Sequence, residues 1–234
     1  MKKIISLSLL ILVCSITYAQ KIKGTGPNVS KTLNVASFST LECSMAADIE
    51  ITQGSSQSVT VLGQENIIQL IQTEVSDGKW RIKLPKGTWA DYENLKFKIT
   101  MKDIRGLGMA GSGSITTTNK IKTDDLQIGL SGSGKITVET DADYVDCGIS
   151  GSGNIYLKGR AKELNIGTSG SGDLKAQDFA VEKVKIGISG SGDCMVNAAE
   201  SLEAGIAGSG SVHYKGRPKI KSSVSGSGSV SSID

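Results

Sequence analysis

Asp173 and Asp193 each stand three residues after the first glycine of a Gly-Ser-Gly triplet, and they are the only acidic residues at that place in seven triplets. Carboxylates stacked at a fixed spacing could share a calcium ion or a proton, which makes this pair the chain's weak metal candidate. Cleavage of a polysaccharide asks for more, namely carboxylates or bases converging on one face. The rest of the column is Ser114, Lys135, Asn154, Ser211 and Ser229, and Lys175 lies close by, so two solvated carboxylates are the plainer reading. Calcium-binding nonapeptide rolls need an aspartate in nearly every nine-residue unit, a pattern absent here. His213 is the only histidine. Serines abound, but no base recurs to activate them, and His213 has the parity of a surface residue. Trp80 and Trp89 could stack against a sugar, yet closing the end of a small β domain suits them better. No catalytic residue, no cofactor and no firm metal site is expected.

What must position these residues is a repeat. The first glycine of the triplet falls at Gly111, Gly132, Gly151, Gly170, Gly190, Gly208 and Gly226, in steps of 21, 19, 19, 20, 18 and 18 residues. A flexible linker has no reason to keep such a period, whereas a repeat architecture does. Two residues before that glycine stand Met109, Leu130, Ile149, Thr168, Ile188, Ile206 and Val224; four after it stand Ile115, Ile136, Ile155, Leu174, Cys194, Val212 and Val230. These columns, and those four and six residues before, lie an even number of residues from the reference. Side chains alternate faces along a strand, so the set points to one side. The triplet is then a tight corner, its glycines inward where no side chain fits. The flanking serines, among them Ser131, Ser150, Ser169 and Ser189, face outward as a candidate binding ladder. A further column three before, mostly glycine from Gly108 to Gly205, has outward parity. Glycine in a strand marks a bulge, a bend or close approach by another backbone, so a second corner and a covered site both remain open.

Aligned coils of about 19 residues fit an all-β parallel solenoid, with a perimeter near 60 Å and coils about 4.8 Å apart. A meander of antiparallel hairpins turning at each triplet is the alternative. Cys147 and Cys194 occupy core columns and read as small buried hydrophobes. The last repeat is more polar, with Ser222, Ser231 and Ser232, as suits a terminal cap.

Residues 20–105 lack the triplet and read as an irregular N-terminal β region, either extra coils or a separate cap, ahead of the solenoid at 106–234. Ala47–Gly54 and Ser58–Gly63 alternate as strands, Glu65 opens a short helix, and Asp77-Gly78 turns a hairpin. Leu95–Met101 leads into the first repeat, and Pro85–Asp91 reads as a loop.

Residues 1–19 read as a signal peptide: Lys2 and Lys3, an apolar run from Ile4 to Val13, and Ala19 before the cleavage point. The run is too short to span a bilayer, and no later stretch approaches that length. Cys14 lies inside the apolar run behind Val13, which is not small, so it does not read as a lipidation site. Without the two leading lysines, 24 basic residues face 23 acidic ones, a balance that gives no reason to expect nucleic acid or an anionic membrane as partner. Three cysteines remain, Cys43, Cys147 and Cys194, an odd number without metal-ligand spacing.

Phe38, Asp48-Ile49-Glu50-Ile51, Gln53-Gly54, Asn66 and Asp77-Gly78, followed by the triplets, occur in an order that resembles the bacterial family called putative auto-transporter adhesin, head GIN domain. The resemblance covers nearly the whole chain beyond residue 20. It implies an exported β-helical protein of Gram-negative bacteria, in the periplasm, at the outer-membrane surface or outside the cell. The family name proposes adhesion and supplies no catalytic motif. The expectation is thus an adhesin-like binding or structural protein with an unidentified glycan or protein ligand. A polysaccharide-processing enzyme and a periplasmic spacer are the alternatives.

Overall fold

The structure, a computed structural model, describes residues 20–233; the predicted signal peptide with Cys14, and Asp234, lie outside them. The N-terminal part contributes β1 (Gln20–Lys23), β2 (Asn28–Thr32), β3 (Thr40–Cys43), β4 (Asp48–Gln53), β5 (Ser58–Gln64), α1 (Glu65–Ile68), β6 (Val75–Ser76), β7 (Lys79–Ile82), β8 (Thr88–Asp91) and β9 (Lys96–Met101). The repeats contribute β10 (Gly106–Gly111), β11 (Ser114–Thr117), β12 (Ile121–Gly132), β13 (Lys135–Gly151), β14 (Asn154–Gly170) and β15 (Asp173–Gly190). They end with β16 (Cys194–Gly208), β17 (Ser211–Lys215), β18 (Lys219–Gly226) and β19 (Ser229–Ser232).

Every pairing between successive repeats is parallel. That excludes the hairpin meander and makes the molecule a β-solenoid. The reason lies in the even-spaced columns: Leu130, Ile149, Ile188 and Ile206 stack in one buried file, and Ile136, Ile155, Leu174, Cys194 and Val212 in another. Each coil buries its apolar face only against its neighbours. The corners are where the sequence placed them. At Gly132 φ is +108°, and a Cβ there would lie 2.7 Å from the Gly111 carbonyl oxygen, so only glycine fits. The Gly132 carbonyl in turn accepts from the Ser152 and Gly153 amides, both at 2.9 Å. Coil is thereby bonded to coil at the bend itself.

The N-terminal part is two more coils, and their order along the rod is not their order in the chain. β3 and β4 pair in parallel with β10 and β11 on one side and with β7 and β9 on the other. Leu95–Met101 therefore lies one coil further out, and the chain passes the Thr40–Gln53 coil before joining the first repeat. Antiparallel β5 and β2 extend that end beyond β9, and β6 closes on β7 through the Asp77-Gly78 turn, where both residues have positive φ. Ile67, Ile68 and Ile71, in and just after α1, join the core. Trp80 is fully buried, tilted against Phe38 at 5.4 Å and edge-on to Phe97 at 6.2 Å, with its indole N–H donated to the Gln72 carbonyl at 2.9 Å. Pro85–Asp91 is not wholly a loop: Thr88–Asp91 pairs in parallel with β1, a strand whose partner has no repeat signature to reveal it.

Candidate functional site

The face carried by β10, β12, β13, β14, β15, β16 and β18 holds the outward serines. Ser131, Ser150, Ser169 and Ser189 are exposed and in direct register, each opposite the next. None of the four hydroxyls has a hydrogen-bond partner among the described residues. Beside them run the glycines of the odd column, Gly129, Gly148, Gly167, Gly187 and Gly205, also in register and exposed. Of the two readings left open by the sequence, close cover by a neighbour holds only at Gly108, beside Glu42, and neither holds at Gly129, Gly148 or Gly167. The glycines do not turn a corner, and a Cβ added at Gly129, Gly148 or Gly167 would have nothing within 4 Å. They are the bare floor of a trench, of about 890 Å³, that runs along the rod between outward side chains.

The trench crosses the strands, so its lining repeats once per coil, about every 4.8 Å. Coil lengths vary, yet this face keeps strict register. The irregularities fall between Tyr156 and Lys158, between Ala176 and Ala180, and between Val181 and Lys183, all on other faces. The N-terminal end is closed by Glu42, whose Cγ would lie 3.1 Å from a Cβ on Gly108. Its carboxylate accepts from Lys79 Nζ at 2.6 Å and Arg81 Nε at 2.8 Å. Burial alone would raise this carboxyl's pKa, but the two hydrogen bonds and the adjoining positive charges outweigh it and hold the group below its usual range. The sequence could not pair these residues, which lie 37 and 39 positions apart. The glycine floor, by contrast, was available from parity together with the missing side chain.

The remaining candidates are dispersed. Asp173 and Asp193 stack in the column after the corner, where each carboxylate accepts a main-chain amide of the next coil: Asp193 N–H at 3.0 Å and Ser211 N–H at 2.8 Å. No group of three or more His, Cys, Asp or Glu side chains capable of holding a metal occurs among the described residues. His213 Nδ1 lies 3.0 Å from Ser231 Oγ, its neighbour in register. Trp89 is 57% exposed with Lys21 Nζ over its ring at 5.1 Å, far from the buried setting of Trp80, so the two tryptophans form no common platform. Cys43, Cys147 and Cys194 are buried free thiols. No helix of the described residues is long and apolar enough to cross a membrane.

The profile of the family described as "Putative auto-transporter adhesin, head GIN domain" matches residues 37–218. No curated protein matches the chain. Several solved structures resemble it over their whole length. One, described as a putative adhesin from Bacteroides fragilis, is 25% identical with a TM-score of 0.83 and covers 91% of this chain and 100% of its own. A protein from Parabacteroides distasonis, described as a putative lipid binding protein, is 27% identical with a TM-score of 0.77, covering 92% and 100%. Another from the same species, described as a putative adhesin, is 26% identical with a TM-score of 0.74, again covering 92% and 100%.

Proposed function

Since the chain belongs to the putative auto-transporter adhesin, head GIN domain family, we propose that it is an exported, non-catalytic binding protein of the bacterial envelope, with the serine-and-glycine face as its ligand surface. One observation carries this reading. The trench floor is bare where packing does not require it, and free hydroxyls stand beside that floor at a constant pitch. An extended polymer lying along the rod, a glycan above all, can offer hydroxyls and flat carbon faces to each coil in turn. The hydroxyls fix its position, and the exposed main chain lets it approach closely. Ser131, Ser150, Ser169 and Ser189 are the proposed contacts, over Gly129, Gly148 and Gly167.

The test is a glycan array and a cell-adhesion assay with residues 20–234, alongside Gly148→Arg and Gly167→Arg. Both substitutions enter open space, so the fold is expected to hold while binding drops at least tenfold. Absence of binding to every glycan, cell and matrix protein would favour a spacer role instead. A second reading has its own support: the trench is lined largely by glycine, serine and apolar residues with only one charged residue, Glu42, among them, and one solved relative is described as lipid binding. An acyl chain in the trench predicts binding to lipid vesicles that the same two arginines abolish. Retention in the periplasm after cell fractionation would weaken adhesion to other cells under either reading.

A further inference from the structure

The two ends of the rod are finished differently. At the N-terminal end, antiparallel strands and the isoleucines around α1 cover the last coil. At the C-terminal end, among the described residues, nothing lies over β18. The files buried one coil earlier at Leu202 and Ile206, 1% and 3% exposed, continue into Ile220 and Val224 at 46% and 41%. The expected polar cap is thus serine-rich but leaves the core uncovered. An open strand edge is a template for pairing, and proteins usually blunt one with charges, proline or a bulge. Residues 222–233 carry no charge and no proline.

We propose that this edge pairs with the same edge of a second copy, joining two rods end to end about a twofold axis near Val224. Three features select a second copy as the occupant. An isologous contact sets Val224 against its twin and so brings the exposed end of one copy's Ile206–Val224 file against that of the other. The charges of the last coil are segregated: Lys215, Arg217, Lys219 and Lys221 precede an uncharged stretch, with no acidic residue between Glu203 and the described end. The chain turns its corner at Gly226, so antiparallel pairing about Val224 spans residues 222–226 of each copy, which carry no charge, and leaves Lys219 and Lys221 outside the paired stretch. The area also suffices. A coil of 18 residues has a perimeter of about 60 Å. With its side chains it presents an end face on the order of 600 Å², so two faces bury roughly 1,200 Å², the lower bound for a specific, reversible dimer. The trench is open at this same end and closed at the other by Glu42, so pairing β18 with its copy runs two trenches into one. The proposal rests on the edge and not on the ligand reading.

Sedimentation velocity and light scattering on residues 20–234, from about 1 µM to about 500 µM, test it. A monomer–dimer equilibrium is expected, weakened at least tenfold by Val224→Lys and unaffected by Leu62→Lys, an exposed apolar position elsewhere. Because the native thiols are buried, Val224→Cys under mild oxidation supplies a second readout that tolerates loss of folding in the lysine variant. It is expected to give a disulfide-linked dimer, whereas Ser150→Cys on the trench face stays monomeric. A chain monomeric throughout the range, or a dimer that Val224→Lys leaves intact and Val224→Cys does not link, overturns the proposal. Dimerisation without any glycan or lipid binding would sink the ligand reading alone.

Discussion

Gly148 and Gly151 stand three residues apart in one strand and make opposite demands. A Cβ at Gly148 meets nothing, whereas at Gly151, with φ at +116°, it would lie 2.6 Å from the Gly132 carbonyl oxygen. Gly148→Ala is therefore expected to leave stability within about 0.5 kcal/mol, and Gly151→Ala to lower it by about 2 kcal/mol or more, as denaturant titration reads it. Equal effects would contradict the corner geometry. The sequence distinguishes these glycines only by parity; it shows which face each takes, not whether a neighbour covers it. Burial pushes the Cys43 and Cys194 thiols up to about 11, and that of Cys147 upward as well. Below those values the reactive thiolate is scarce and also inaccessible. At pH 8 a thiol reagent should label none of the three in the native protein and all three in denaturant. Rapid native labelling would remove the cysteines from the core.

Among elements, the corners and core files were legible because repetition supplies seven samples of one local environment. The N-terminal coils were only partly legible. The hairpin at Asp77-Gly78 carries local turn chemistry and the short helix an acidic residue, Glu65, in its first turn, but the insertion of Thr40–Gln53 between two later segments has no local signature. Strands β3 and β7 meet through Glu42, Lys79 and Arg81, whose depressed carboxyl gives a pH test. A group whose folded pKa lies below its unfolded value contributes stability above the unfolded value and loses it as pH falls through the folded one. Stability is therefore expected to decline from about pH 4.5 downward. Glu42→Gln should flatten that acid limb while costing something at neutral pH. The effect is modest, because the group is about a third exposed and screened by solvent. An acid limb identical in the variant would rule the cluster out as its source.

For the whole molecule, a rod in which each coil contacts only its neighbours should behave as a nearly additive stack. Excising residues 133–151 joins Gly132 to Ser152 and removes one 19-residue coil in register. The shortened chain is expected to fold with the same circular dichroism shape and a lower unfolding midpoint. Failure to fold would show that some coil is individually indispensable. Hydrogen exchange offers a complementary check, since the amides of Ser152 and Gly153 are bonded across the bend and should be protected. What the sequence could not convey at this scale was the asymmetry of the two ends, because it depends on which coil lies outermost.

If the trench is the ligand surface proposed above, the confinement of length irregularities to the other faces makes it a ruler whose graduations do not drift. A polymer commensurate with that spacing gains contacts in proportion to the coils it crosses, while one of slightly different pitch slips out of phase within a few units. Discrimination would then come from the guest's repeat distance more than from any single chemical group, and it would sharpen as the rod lengthens.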